Sequence, residues 1–198
     1  MSASTTPLEM VRRLIGFDTT SRGSNLALID FVQEQLEGAG ARCRRTFDAD
    51  RTKANLFATF GPDAPGGYVL SGHTDVVPVD GQDWSSDPFA AEIRGDKLYG
   101  RGACDMKGFI GVALALLPEI ARARLARPLH FALSYDEEVG CAGVRGLLDD
   151  LKAADIRPAL AIIGEPTEMK VVGAHKAGAV LHTHCHGREG HSSAPEKG

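Results

Sequence analysis

The chain has 198 residues, of which 43% are hydrophobic and 24% are charged, a composition typical of a globular protein with one well-buried core. The formal net charge is −4 and no block of Lys or Arg stands out, so we expect no nucleic-acid partner. No apolar stretch reaches membrane-spanning length, and the opening residues lack the pattern of a secretory signal, so we expect no membrane partner. The four cysteines are scattered without a C-x-x-C pair, as in proteins with free thiols, and we expect a cytoplasmic location.

The first elements in chain order are two amphipathic helices. Apolar residues recur at helical spacing in "TTPLEMVRRLIGF", where Thr6 stands at the N-cap position and Pro7 at N1. The spacing recurs in "NLALIDFVQEQLEGAG", which ends on the stop signals Gly38 and Gly40. The patterns that follow predict three strands, in "ARCRRTFD", "ANLFATFG" and the buried "YVLSG".

The middle of the chain alternates strands with helices. Gly95-Asp96 predicts a tight hairpin in "AEIRGDKLYGRG", and "MKGFIGVALALLPEIARARL" predicts one long helix that is apolar nearly all round and therefore buried. The later elements are a buried strand in "LHFALS", a helix in "GVRGLLDDLKAA", a buried strand in "LAIIG" and two more strands in "KVVGAHKAGAVLHTHCHG". Apolar runs of this kind are typical of inner strands covered on both faces. The predicted fold class is therefore α/β, with a mixed, mostly parallel sheet and helices on both faces.

Ionisable residues follow each of the three buried strands, and another lies in a glycine-rich turn. Sites in open α/β sheets form at the carboxyl ends of the strands, so we expect these side chains to meet at one edge. They are His73 and Asp75 after "YVLSG", Asp136, Glu137 and Glu138 after "LHFALS", Glu165 after "LAIIG", and Asp105 in "GRGACDMKG".

This set of side chains favours a hydrolytic metal site. Zinc binds imidazole nitrogen and carboxylate oxygen, and two metals about 3.5–4 Å apart need a bridging carboxylate with further ligands on each side. Asp105 is a candidate for the bridge. His73 and Glu165 would complete the ligands of one metal, and Glu138 would bind the other.

Two residues of the set are predicted to act without binding metal. Asp75 lies two positions after His73 and is placed to accept the second imidazole N–H, the usual arrangement around a zinc-bound histidine. Glu137 stays off the metal and is free to activate a water molecule.

Five motifs resemble those of the di-zinc amidohydrolase and exopeptidase family. They are "SGHTDVVPVDGQDWSSDPF", "LYGRGACDMKG", "YDEEVG", "GEPT" and "GHSSAP", and they follow in the family's order over nearly the whole chain. The resemblance implies a zinc-exopeptidase-like catalytic domain over residues 1–177. It also implies that residues 178–198 begin an α+β lid and dimerisation domain with its first strand.

The resemblance implies a set of metal ligands and two Zn²⁺ ions as cofactors, with Co²⁺ as the alternative. His73 and Glu165 resemble ligands of the first zinc, and Glu138 resembles a ligand of the second. Asp105 resembles the bridging carboxylate, after which the family has a cis peptide bond.

The resemblance also implies catalytic residues and a homodimer formed through the lid. Asp75 resembles the aspartate that orients the zinc histidine, and Glu137 resembles the general acid and base. His191 in "GHSSAP" resembles a lid histidine that reaches into the active site of the other subunit and stabilises the oxyanion.

The function implied by the resemblance is metal-dependent amide hydrolysis of a small-molecule N-acyl amino acid. The first expectation is N-acetyl-L-ornithine plus water giving L-ornithine and acetate, a step of arginine biosynthesis. Desuccinylation of succinyl-diaminopimelate, aminoacylase activity and metallo-carboxypeptidase activity are alternatives with the same mechanism. An alternative of another class is an inactive metal- or peptide-binding half-protein. The family supplies its last zinc histidine well beyond the position of Gly198, so we expect this chain to be the first half of such an enzyme, with little or no activity alone.

Structural roles compete with these functional ones. Asp136 and its two neighbours would also suit a solvated turn or the first turn of a helix, and Asp105 would also suit a helix cap. Cys104 and Cys141 are predicted to be small buried packing residues rather than nucleophiles or ligands. A set of alternating histidines suits a metal site or an exposed or interface strand, and we favour the strand; these are His182, His184 and His186.

Overall fold

The computed structural model describes residues 5–174, 181–184, 186–188, 191–194 and 196. The chain divides into two compact units, residues 1–166 and residues 167–198, and every α-helix and β-strand of the described residues belongs to the first. No helix in this described part is both long and apolar enough to cross a membrane. The elements in chain order are α1 (Pro7–Ile15), α2 (Leu26–Gly38), β1 (Arg42–Phe47), β2 (Ala54–Phe60), β3 (Tyr68–His73), β4 (Glu92–Arg94), β5 (Lys97–Tyr99), α3 (Lys107–Ala115), α4 (Leu117–Arg122), β6 (Leu129–Ser134), α5 (Val144–Ala153) and β7 (Leu160–Ile163).

A five-stranded sheet in the order β1-β2-β6-β3-β7 forms the centre of the first unit. The pairs β1-β2 and β2-β6 are antiparallel, whereas β6-β3 and β3-β7 are parallel, so the sheet is mixed. The predicted hairpin is confirmed as β4-β5. Its turn contains Gly95 with a φ of +63°, a left-handed conformation that glycine adopts without a Cβ clash.

Helices cover both faces of the sheet, which confirms the predicted α/β class. On one face, α1, α2 and α3 pack over a core that includes Leu56 of β2 and Phe131 of β6. On the other face, α5 packs through Leu147 on Phe57 and Ala132. Leu56 and Phe57 are consecutive in β2, so their side chains point to opposite faces and one strand contributes to both cores.

The N-terminus of α1 is capped as its sequence predicts. Thr6 Oγ1 accepts the backbone N–H of Glu9, and the Glu9 carboxylate accepts the backbone N–H of Thr6, a reciprocal capping box. Pro7 follows at the first helical position, where no N–H is required. The capped helix then buries Leu14 in the core between the sheet and the helices, and Ile15 in a smaller cluster with Ala91.

The predicted long apolar helix is in fact two helices, α3 and α4, which meet at Leu116. Pro118 accounts for the break, because proline has no N–H to donate to the carbonyl four residues back and its ring crowds that carbonyl. It is tolerated in the first turn of α4. The prediction of burial all round is also wrong, since Val112 and Leu116 are 47% and 42% exposed.

Strand β7 lies at the edge of the sheet, and the prediction of a buried inner strand is wrong there. Leu160, Ile162 and Ile163 are 53%, 48% and 64% exposed. An apolar run favours a strand, but its burial depends on neighbours, and β7 pairs only with β3 among the strands that the structure describes.

The second unit contains no β-strand in its described residues, which include 167–174 and 181–184. The strands predicted in "KVVGAHKAGAVLHTHCHG" are therefore wrong for those residues, while the prediction that a lid domain begins with a strand falls largely outside the described residues and stays a prediction. A strand forms only against a partner that takes its backbone hydrogen bonds, and none pairs with these residues in the described structure. Residues 175–180 lie outside the described residues, and the predicted domain boundary at residues 177 and 178 stays a prediction.

Candidate metal centre

Three of the four predicted metal ligands lie together at one edge of the sheet. His73 Nε2 is 2.9 Å from Asp105 Oδ1 and 3.7 Å from Glu165 Oε1. One ligand atom from each of the three residues lies within 4.8 Å of the other two. They come from three separate parts of the chain, so the fold brings them together.

The parallel pairing of β3 with β7 positions two of these ligands. His73 is the last residue of β3 and Glu165 lies two residues past β7, so both emerge at the carboxyl edge of neighbouring strands. Asp105 comes from the turn just before α3. The peptide bond after Asp105 is cis, as the family resemblance implies.

The imidazole of His73 is held by its other ring nitrogen. His73 is only 2% exposed, and its Nδ1 lies 2.9 Å from the backbone carbonyl oxygen of Asp75 and 3.5 Å from Asp75 Oδ1. The nearer acceptor for this N–H is therefore the backbone carbonyl, and the carboxylate that the sequence predicts as acceptor is farther away. With Nδ1 engaged as a donor, the lone pair of Nε2 is available to a metal.

The carboxylate of Asp75 fixes the turn that carries the two glutamates. Asp75 is 2% exposed; its Oδ1 accepts the backbone N–H of Glu137 at 3.0 Å and its Oδ2 that of Glu138 at 3.2 Å. Its Oδ2 also accepts the hydroxyl of Ser21 at 2.8 Å. Burial alone would raise the pKa of Asp75, but the hydrogen bonds from His73, Ser21 and Glu137 outweigh it and hold the pKa below its usual value. Asp75 is thus a buried anion that joins His73 to both glutamates.

The three consecutive acids after β6 have three different environments. Asp136 has a φ of +55°, and its carboxylate lies 2.6 Å from Lys53 Nζ. Glu137 Oε1 accepts a hydrogen bond from Cys141 Sγ at 3.3 Å. Glu138 lies outside the three-residue cluster but close enough to Asp105 to feel its charge. Asp136 therefore has a structural partner, whereas the two glutamates interact with the cluster through their charges, Glu138 with Asp105 and Glu137 with Glu165.

Negative charge accumulates at this edge of the sheet. Burial and the charge of Asp105 raise the pKa of Glu138, and burial with the charges of Asp105 and Glu137 raises the pKa of Glu165, while His73 opposes both shifts. Burial disfavours protonation of His73, but Asp75 and Asp105 outweigh it and raise its pKa to about 9. A cation among these groups would relieve the repulsion between the carboxylates and compete with the proton on His73.

The side chains of the cluster fit a zinc ion. Zn–N and Zn–O bonds are about 2.0–2.2 Å long, so ligand atoms around a tetrahedral ion stand roughly 3.4 Å apart. The distances from His73 Nε2 to Asp105 and Glu165, 2.9 and 3.7 Å, lie on either side of that value. The same nitrogen and oxygen ligands serve Co²⁺ and Mn²⁺, so the set defines a kind of metal site rather than one ion.

Several predicted residues lie in settings that differ from the expected ones. Cys104 and Cys141 are exposed, so the prediction of buried packing residues is wrong, because each lies in a turn rather than on the inner face of a helix or strand. His191 belongs to the second unit, where its Nδ1 lies 2.8 Å from Ser193 Oγ, and its role stays a prediction. The alternating histidines of the second unit are exposed and outside any strand: His182, His184 and His186.

Two residues that contact the site were not predicted from the sequence, Ser21 and Lys53. Ser21 donates to Asp75, and Lys53 pairs with Asp136. The only sequence signal for Ser21 is the polar run "DTTSRGSN" between α1 and α2, which is rich in hydroxyl side chains. Such a run does not reveal which strand end it meets, because the contact depends on the tertiary fold.

The sequence of residues 69–190 matches peptidase family M20/M25/M40. The match covers more than half of the chain and includes all three residues of the cluster. The chain therefore belongs to this peptidase family, which confirms the family predicted from the five motifs.

Curated relatives are similar over almost the whole chain. Acetylornithine deacetylase from Proteus mirabilis (strain HI4320) is 39% identical over 96% of this chain and 50% of the relative. Acetylornithine deacetylase from Pasteurella multocida (strain Pm70) is 37% identical over 96% of this chain and 51% of the relative. The chain thus spans about half the length of these relatives. Within the family, the motifs "HTDVVPVDGQDWSSDPF" and "SYDEEVGC" also resemble acetylornithine deacetylase.

Solved structures share the fold of the chain. The M20 family metallo-carboxypeptidase Sso-CP2 from Sulfolobus solfataricus superposes with a TM-score of 0.67 at 21% identity, over 80% of this chain and 37% of the carboxypeptidase. Human carnosine dipeptidase 1 gives a TM-score of 0.68 at 21% identity, over 79% of this chain and 38% of the dipeptidase. At this level of identity the likeness concerns the fold, and it agrees with the mixed sheet covered by helices.

Proposed function

We propose that this protein hydrolyses the amide bond of an N-acyl amino acid in a metal-dependent reaction, with N-acetyl-L-ornithine and water giving L-ornithine and acetate. The observation that carries the proposal is the cluster of His73, Asp105 and Glu165, whose ligand atoms lie within 4.8 Å of one another. Membership of the peptidase family supports the reaction class. The names of relatives that are 37–39% identical support the substrate and a place in arginine biosynthesis.

The proposed cofactors are two zinc ions, with cobalt as the alternative. The cluster would hold one ion. Asp105 would also be a ligand of the second ion, together with Glu138. His73 would bind through Nε2, because its Nδ1 is engaged with Asp75. Bound zinc supplies Lewis acidity and makes water acidic enough to ionise near neutral pH.

Glu137 is the proposed general acid and base. Its backbone N–H is fixed by Asp75 Oδ1, and its carboxylate is outside the three-residue cluster. A carboxylate held there accepts a proton from the attacking water and returns it to the nitrogen of the departing amine, so the C–N bond breaks with a neutral leaving group. Asp75 positions both the proposed metal ligand and the proposed base, because it contacts His73 on one side and the turn of Glu137 on the other.

For the whole protein we propose a cytoplasmic homodimer in which His191 stabilises the oxyanion in the active site of the other subunit. The motif "GHSSAP" supports the role of His191 by its family resemblance. Free thiols at Cys43, Cys104 and Cys141 support a reducing compartment.

Release of acetate from N-acetyl-L-ornithine by the polypeptide of the complete reading frame tests the proposed function. Activity should disappear with a chelator, return with Zn²⁺ or Co²⁺, and be absent in His73→Ala. Succinyl-diaminopimelate, another N-acyl amino acid and a dipeptide serve as competing substrates. Faster turnover of one of them would overturn the assignment of the substrate, and full activity of the metal-free protein would overturn metal-dependent hydrolysis.

A further inference from the structure

The polar segment between α1 and α2 contacts Asp75, the residue that hydrogen-bonds His73. Ser21 is 8% exposed, and its hydroxyl donates to Asp75 Oδ2 at 2.8 Å. Thr20 is 4% exposed, but its hydroxyl donates to Asp18 Oδ1 at 2.7 Å. Two adjacent buried hydroxyls therefore have different partners, and only that of Ser21 contacts the carboxylate behind His73.

The backbone on either side of this hydroxyl is fixed by contacts with two other segments. The N–H of Ser21 donates to the carbonyl of Val76 at 3.1 Å, and the N–H of Val76 donates to the carbonyl of Thr19 at 3.1 Å. The carbonyl of Ser21 accepts a hydrogen bond from Lys53 Nζ. Because the backbone is held in this way, the hydroxyl meets Asp75 in one preset position.

Asp75 depends on this donor because its carboxylate is buried. In the described structure, Oδ2 accepts hydrogen bonds from Ser21 at 2.8 Å and from the Glu138 N–H at 3.2 Å. Loss of the hydroxyl leaves this oxygen with the longer bond alone, and a buried anion that loses a donor shifts or becomes less stable. His73 and the Glu137 turn would then lose the group that holds them in a common position.

We propose that Ser21 is a positioning residue of the metal centre, acting through Asp75 on the orientation of His73 and on the placement of Glu137 and Glu138. The inference rests on the proposed metal-dependent function, because it concerns the same site. Loss of the Ser21 hydroxyl should weaken metal binding about 10- to 100-fold, the usual effect of changing a group that orients a metal ligand.

Titration of the 198-residue chain with Co²⁺ tests this inference, with calorimetry for the Kd and visible absorption for the coordination geometry. Ser21→Ala is compared with the matched control Thr20→Val, since both remove a buried hydroxyl from the same segment. Ser21→Ala should raise the Kd at least about tenfold and change the Co²⁺ absorption, while Thr20→Val should stay within about twofold of the wild type. The thermal midpoint of the metal-free chain provides a separate readout, because a purely structural role would lower that midpoint without changing the Kd or the spectrum.

A double-mutant cycle with Asp75→Asn tests whether Ser21 acts through Asp75. Ser21→Ala should have little further effect on the Kd once Asp75→Asn is present, since coupled residues are not additive. Additive effects, an unchanged Kd in Ser21→Ala, or equal losses in Ser21→Ala and Thr20→Val would each overturn the inference. If Ser21→Ala does not fold, Ser21→Cys replaces it with the same outcomes, because a thiol is a weaker donor. A wild-type chain that binds no Co²⁺ would overturn this inference, whereas a wild-type chain that binds Co²⁺ while the full-length protein hydrolyses no N-acyl amino acid would overturn the proposed function.

Discussion

Lys53 Nζ lies 2.6 Å from Asp136 Oδ1, and the two side chains are only 15% and 17% exposed. Lys53 also donates to the carbonyl of Ser21, so it joins the segment behind the site to the turn that carries the acids. Asp136 has a φ of +55°, a conformation that is unfavourable for a residue with a Cβ and that the ion pair helps to stabilise. The first of the three consecutive acids is thus a structural residue.

Replacement of Lys53 by Met should lower the free energy of unfolding by about 2–4 kcal/mol, because it leaves Asp136 mostly buried without a counter-ion. Urea denaturation followed by circular dichroism measures the change. Arg22→Met is the control, since the ion pair of Arg22 with Asp80 is 63% and 61% exposed and should contribute less than about 1 kcal/mol. Equal losses in the two variants would contradict a structural role for Lys53.

Replacement of Glu137 by Gln should leave metal binding intact and reduce turnover about 10²- to 10⁴-fold, the usual contribution of general acid–base catalysis. The amide keeps the shape of the side chain and the backbone bond to Asp75, but it cannot accept the proton of water. Metal content and acetate release, measured on the same preparation of the protein from the complete reading frame, separate the two effects. Near-wild-type turnover would exclude Glu137 as the base.

Replacements of Glu165 and Glu138 by Ala should affect metal content differently. Glu165 belongs to the three-residue cluster, so Glu165→Ala should weaken the tightest site. Glu138 lies outside that cluster, so Glu138→Ala should lower the total number of bound ions and leave the tightest site in place. Calorimetric titration with Zn²⁺ gives the Kd of the tightest site and the number of ions bound. Glu119→Ala on the exposed face of α4 is the control. Unchanged zinc content in Glu138→Ala would argue against Glu138 as a ligand.

The sequence predicts the elements of the fold well where a local pattern decides them. The N-cap at Thr6 and the glycine turn at Gly95 depend on neighbours within a few residues, and both appear where the sequence places them. The break before Pro118 is also local in origin, but the apolar run around it suggests a continuous helix. Burial of β7 is not local, because it depends on which elements lie beside the strand.

The same distinction holds for the site. His73 and Glu165 are predictable because each follows an apolar strand, and parallel strands bring their carboxyl ends to one edge. The contact of Ser21 with Asp75 joins residues 54 positions apart, and no periodicity links them. The choice of the Asp75 carbonyl as the nearer acceptor for His73 depends on backbone geometry within the turn, which residue types alone do not determine.

Replacement of Gly111 by Ala should destabilise the packing of α3 on α1. A Cβ at Gly111 would lie 2.8 Å from both the Cα and the backbone N of Val11, and backbone cannot move aside as a flexible side chain can. The expected loss is about 1–3 kcal/mol, typical of overpacking. Gly38→Ala at the end of α2 meets nothing within 4 Å and should be neutral or stabilising by up to about 1 kcal/mol. Urea denaturation compares the two, and similar effects would contradict the close approach of the helices.

His130 is the buried histidine at the opposite end of the sheet strands from His73. It is 4% exposed, its ring stacks on Phe57 with centroids 5.0 Å apart, and its Nδ1 lies 2.9 Å from Thr59 Oγ1. Burial lowers the pKa of His130 below 6.5; a hydrogen bond to the backbone of Gly66 opposes the shift in part. The folded protein therefore holds this imidazole neutral at a pH where the unfolded chain begins to protonate it.

Stability should consequently fall with acid in a range that His130 helps to define. Well above pH 6.5 His130 is unprotonated in both states and contributes no slope. As the pH falls through 6.5 the unfolded state binds a proton before the folded state does, so stability falls until the lower folded pKa is passed. In His130→Phe, which keeps an aromatic ring beside Phe57, the thermal midpoint should drop less than in the wild type between about pH 7 and about pH 5, even if its value at pH 7 is lower. His182→Asn, which removes an exposed histidine, should keep the wild-type slope. Identical slopes in His130→Phe and the wild type would mean that His130 accepts a proton as readily in the folded protein as in the unfolded chain.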